Sequence, residues 1–181
     1  WPKQIIPEPY DNPDPDWYSI QRRVIELMKK QNHRGILCVV DWYGNSGKTY
    51  LSKWYSERFK AVRIPVSNDY KDLMRAVHCI NKQHRLCGWL FIDVPRSFPK
   101  RHLNQLYSAI ETLKDGDCWD DRYEFHMSSI PSPKICVFTN QDPDLNYLTR
   151  DRWKIIQMKL DGAYIEPLLD EEIKTEDDLK R

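Results

Sequence analysis

Six consecutive residues, Gly44-Asn45-Ser46-Gly47-Lys48-Thr49, combine the groups that a nucleoside triphosphate asks of a protein. Its phosphates need several backbone N–H donors, a cation on the β and γ oxygens, and a hydroxyl that ligates Mg²⁺. Gly44 and Gly47 permit the tight wrap, Lys48 is the cation, and Thr49 is the Mg²⁺ ligand. Tyr50 completes the ATP-binding stretch as the next element begins. The common eight-residue form of such a loop has glycine where this chain has Trp42, so the loop reads as a shortened variant.

Hydrolysis also needs an acid at the end of a neighbouring strand to hold the Mg²⁺ shell, and Asp93 closes the apolar run Trp89–Ile92 in that position. Val94 stands where a second, water-activating acid is often found, which leaves Glu111 as the candidate general base. Asn140 ends the run Ile135–Thr139, where a polar side chain would reach between loop and Asp93 to orient water. It suits equally an asparagine opening the turn Gln141-Asp142-Pro143. Arg150 and Arg152 offer positive charge to a transition state, in a neighbour's site if subunits form a ring. The alternative is a pair of surface arginines matched by Asp151.

These residues need strands that end together and helices that start there. Gly35–Trp42, Gly88–Val94 and Lys134–Asn140 are apolar runs of strand length, suited to strands buried on both faces. Ala61–Val66 and Trp153–Lys159 add two more. Helices are expected over Tyr50–Phe59, Asp69–Gln83 and Lys100–Lys114, so strand and helix alternate. The expectation is an α/β fold with a mainly parallel five-stranded sheet flanked by helices. Asp117–Met127 reads as a hairpin inserted before the Lys134 strand, turning at Asp120-Asp121.

Three segments are expected. Residues 1–31 begin with a proline-rich extended stretch and continue as a helix capped by Asp16, with Trp17, Ile20, Val24, Leu27 and Met28 on one stripe. That stripe either packs on its own domain or serves oligomerisation. Residues 32–160 form the nucleotide-binding domain. Residues 161–181 are dominated by acids and are expected to be mobile or peripheral.

Across 181 residues the formal charge is +1, so a uniformly basic coat for nucleic acid is absent and any polyanion contact must be local. Five cysteines without a CxxC pair point to a reducing, intracellular compartment. Neither a membrane span nor a signal pattern is present in the sequence. Because the chain opens on Trp1, a preceding segment is expected.

Taken together, the chain resembles the superfamily-3 helicase domain of replication initiator (Rep) proteins of circular single-stranded DNA viruses and related plasmids. Four stretches carry the likeness: Asp41–Thr49, Phe91–Ser97, Tyr107–Glu111 through Lys114–Gly116, and Val137–Asn140 through Leu148–Trp153. The resemblance implies an AAA+-like P-loop ATPase working as a hexameric homo-oligomeric ring on single-stranded DNA, with the hairpin reaching into its channel. Arg122, Tyr123 and His126 would then contact DNA, Arg122 replacing a lysine the family often has. An ordinary exposed hairpin remains the alternative. The resemblance further implies location in the host nucleus if the source is a eukaryotic DNA virus. None of His33, His78, His84, His102 and His126 forms the paired-histidine motif of the family's nicking nuclease, so nicking is not expected. A P-loop kinase, a nucleotide-operated binding module and an RNA-translocating relative stand as alternatives.

Overall fold

The computed structural model describes residues 8–84, 88–159 and 161–167. In chain order the main elements are α1 (Ser19–Lys30), β1 (Ile36–Val40), α2 (Lys48–Phe59), β2 (Val62–Pro65), α3 (Tyr70–His84) and β3 (Trp89–Val94). They continue with α4 (Leu103–Asp115), β4 (Asp117–Asp120), β5 (His126–Ser129), β6 (Lys134–Thr139), β7 (Trp153–Met158) and β8 (Tyr164–Ile165).

Six strands form one sheet in the order β2-β3-β6-β1-β7-β8. The first five are parallel, and β8 runs antiparallel along β7. Alternate residues of each central strand face opposite layers, which is why their sequences are apolar throughout. Leu37, Val39, Phe91, Phe138 and Ile156 meet Ile20, Val24 and Met28 of α1 and Leu51 of α2. Ile36, Cys38, Val40, Leu90 and Ile92 meet Leu73 and Val77 of α3 and Leu106 and Ile110 of α4. The result is a three-layer α/β/α arrangement, and among the described residues no helix is long and apolar enough to cross a membrane.

Four sequence expectations are corrected. The sheet has six strands rather than five, because Gly162 turns the chain with φ +82° and lets Tyr164 pair with Met158. Part of the supposed tail is therefore structured, and Glu166 binds Arg23 of α1 and lies 2.9 Å from Lys154 Nζ of β7. The acids Asp170, Glu171, Glu172, Glu176, Asp177 and Asp178 lie outside the described residues. Helix α1 starts with Tyr18 at its N-cap rather than Asp16. Tyr18 N donates to Gln21 Oε1 at 2.9 Å, while Asp16 forms an exposed pair with Arg22. Finally, the hairpin turns around Tyr123 rather than at Asp120-Asp121.

The apolar stripe of α1 is consumed by its own sheet: Ile20, Val24 and Met28 are buried. Each such side chain contributes about 1.5–3 kcal/mol relative to exposure. At the C-terminal end of α1, Gln31 exchanges two hydrogen bonds with the backbone of Ile135, at 2.9 and 2.7 Å. Its Oε1 also accepts from the buried Lys114 Nζ at 2.8 Å. Burial, aided by repulsion from Lys134 and Arg152, brings the Lys114 pKa down to about 8. Helix α1 is thereby fastened at the edge where the parallel strands begin.

Candidate functional site

All five parallel strands end on the opposite edge, and there the sequence-predicted loop is found. Strand β1 stops at Val40, but Asp41 N still donates to Thr139 O at 2.8 Å, so the loop springs from a fixed point. Gly44, Asn45 and Gly47 have φ of +82°, +62° and +72°. Left-handed residues in close succession curl the chain into a concavity that aims backbone N–H groups at an anion. Gly47 is required twice over: beyond its φ, an added Cβ would lie 2.4 Å from Gln21 Nε2 of α1. The same amide nitrogen donates to Gly47 O at 2.9 Å.

Gly47 is also the N-cap of α2 and offers no side-chain cap, so the first-turn amides of α2 remain available to a ligand. Lys48 and Thr49 occupy that first turn. Lys48 Nζ lies 3.4 Å from Asp41 Oδ2. Trp42, at the place of the usual first glycine, is buried in the core and anchored by Nε1 donating to Asp142 Oδ1 at 2.9 Å. Its φ is not positive, so the absent glycine costs this loop no strain.

Strand order settles how the other predicted residues stand. Strand β6 lies between β1 and β3, which places Asn140 between the loop and Asp93. Asn140 Nδ2 donates to Asp41 O, binding the end of β6 to the root of the loop. Asp93 is exposed near the end of β3, forms no ion pair among the described residues, and shares a cavity of about 430 Å³ with Ser52 of α2 and Arg63 of β2. Thr49 and Asp93 supply hard oxygen donors, as Mg²⁺ prefers. Among the described residues no cluster of three or more acidic, histidine or cysteine side chains could cage a metal alone. Two hard oxygen donors would fit a cation whose remaining ligands are phosphate and water oxygens.

Three assigned residues are not brought to this edge, and a fourth, Tyr50, turns away from the loop. Arg152 directly precedes β7, and Trp153 pairs in register with Ile36, the first residue of β1. It is 5% exposed, with Nε 3.0 Å from Glu111 Oε1 and Nη2 donating to Asp115 Oδ1 at 3.0 Å. Glu111 is thus engaged at the far edge of the sheet and does not serve as general base in this chain's own site. Arg150 is near Arg152 but exposed, and Asp151 pairs with Arg34 at 2.7 Å rather than with either arginine. Tyr50 is drawn away from the loop: its hydroxyl donates to Pro9 O and its ring contacts Tyr10 and Trp17.

The hairpin of β4 and β5 forms a separate two-stranded sheet. Tyr123 is 99% exposed at its tip, and Phe125 and Met127, which sequence reasoning passed over, are exposed beside it. Arg122 is held by Asp120 at 2.7 Å, and this guanidinium keeps the Asp120 carboxyl far below the usual range. His126 lies 3.8 Å from Glu124. Asp121 turns back to α3, 2.9 Å from Lys71 Nζ and 2.7 Å from Arg75 Nη2.

Sequence reading also missed Asp41, Gln21 and Arg96 as parts of the site. Asp41 had a local signal, an acid three residues before a glycine that can cap its amide. Gln21 and Arg96, whose guanidinium donates to Trp42 O, meet the loop only through the tertiary fold.

No family model and no curated protein matches the chain. Among solved structures, C. elegans PCH-2 matches 75% of this chain at 15% identity with a TM-score of 0.40. The chain spans 40% of the length of that protein.

Proposed function

We propose that this chain is an ATP-hydrolysing P-loop motor, and more narrowly a helicase motor of the Rep type that translocates on single-stranded DNA. The supporting observation is the loop between β1 and α2, where three left-handed residues, an uncapped helix start, Lys48 and Thr49 converge. Gly44 to Gly47 and the first amides of α2 bind the phosphates, and Lys48 neutralises their charge. Thr49 and Asp93 would hold Mg²⁺, which would supply Lewis-acid stabilisation of the phosphate charge. Asn140 stands where it orients the attacking water. The motor works as a ring in which Arg150, the exposed arginine of the pair, reaches a neighbour's site.

The assignment is tested by ATP turnover with and without single-stranded DNA, alongside particle size. Lys48→Ala should abolish turnover with the fold intact, and near-normal turnover in that variant would refute the phosphate site. Stimulation by single-stranded DNA supports the motor. Stimulation by RNA alone moves the substrate to RNA, and phosphate transfer to a small acceptor sinks the motor reading.

A further inference from the structure

We propose that the Asp41 carboxylate is a built-in stand-in for a phosphate, which holds the loop and Lys48 together and yields Lys48 to an incoming di- or triphosphate. This deepens the ATP-site reading and rests on it. Asp41 is 1% exposed, and its backbone is fixed on both sides, N donating to Thr139 O and O accepting from Asn140 Nδ2. A buried carboxylate needs donors, and all of those here come from the phosphate loop. Oδ1 accepts the Gly44 amide at 2.7 Å, and Oδ2 accepts the Ser46 hydroxyl at 2.6 Å and lies 3.4 Å from Lys48 Nζ.

These contacts are not equivalent. The Gly44 and Ser46 bonds are short and define the shape of the loop. The Lys48 contact is the longest and the only one made by a flexible charged side chain, so it yields first. Burial pushes the Asp41 pKa up, but Ser46, Gly44 and Lys48 together outweigh it and keep the group ionised. A ligand must therefore carry enough charge to take Lys48 from a fixed anion, and must then sit beside that anion. Di- and triphosphates meet that demand better than a monophosphate.

Asp41 is on this account a positioning residue whose charge opposes binding while its oxygens shape the loop. The two roles separate by substitution. Asp41→Asn keeps an oxygen for the Gly44 amide, removes the charge and frees Lys48, so Mg·ADP should bind about tenfold more tightly by calorimetry. Asp41→Ala removes the oxygens too and should bind more weakly than the unmodified chain. A residue that merely anchors the loop would weaken binding in both variants, so equal or weaker ADP binding by a folded Asp41→Asn overturns the proposal. An unmodified chain that takes up no ADP overturns the ATP site itself and this role with it. Lys48→Ala reads the same contact without altering Asp41: the nucleotide-free chain should melt about 2–4 °C lower, and an unchanged melting temperature also overturns the pairing.

Discussion

Arg150 and Arg152 are two residues apart and have opposite environments, which shows how little a residue's type says about its use. Arg152 is buried with two acids at the start of β7, and its Nη1 has no hydrogen-bond partner. Removing a buried charge that satisfies two others is expensive, although Glu111 and Asp115 are partly solvated and recover some of the loss. Arg152→Ala should therefore lower unfolding free energy by about 2 kcal/mol in urea titrations. Arg150→Ala should leave that free energy within about 0.5 kcal/mol, as is usual for an exposed site. If the ring reading holds, it depresses ATP turnover only in assembled particles; equal loss in isolated subunits would place Arg150 in its own site. Sequence reading offered both arginines to a nucleotide, in a neighbour's site if subunits form a ring, because it registered charge and proximity to Asn140. It had no access to the strand register that sends them to the opposite edge.

At the scale of elements, the parallel strands were legible because burial on both faces leaves uninterrupted apolar runs such as Ile36–Val40 and Ile135–Phe138. The loop was legible because its chemistry is contiguous. Strand β8 was not: two residues cannot display a period, and their partner lies across a turn made by Gly162. What secures this short strand is Glu166, one-fifth exposed, whose Oε2 accepts from Arg23 Nη2 at 2.9 Å. Arg23, with burial opposing and Lys154 assisting, draws the Glu166 pKa down to about 2. A depressed carboxyl adds stability above its unfolded pKa of about 4.5 and loses it as pH falls toward the folded value. Glu166→Gln should thus cost about 1–2 kcal/mol at pH 7 and nearly nothing at pH 2. A cost that stays constant across that range, measured by denaturant melts, would assign the effect to shape rather than charge.

For the whole molecule, one edge of the sheet collects the loop, Asn140 and Asp93, and the other collects Lys114, Gln31 and Arg152. The hairpin belongs to neither edge. Its exposed ring at Tyr123 offers a face on which a base can stack, so on the proposed motor reading Tyr123→Ala should weaken single-stranded DNA binding by about 1–3 kcal/mol. DNA-free turnover should be unchanged, and an equal loss of turnover would make Tyr123 part of the nucleotide machinery instead. The hairpin is also pinned to α3 by Asp121 on Lys71 and Arg75, by the Tyr70 and Trp119 rings 5.5 Å apart, and by Ser128 Oγ 3.1 Å from His78 Nδ1. Helix α3 in turn follows β2, whose last residue Pro65 lines the cavity beside Asp93 together with the next residue, Val66. Any tilt of α3 would therefore carry the hairpin and its tip at Tyr123 along with it.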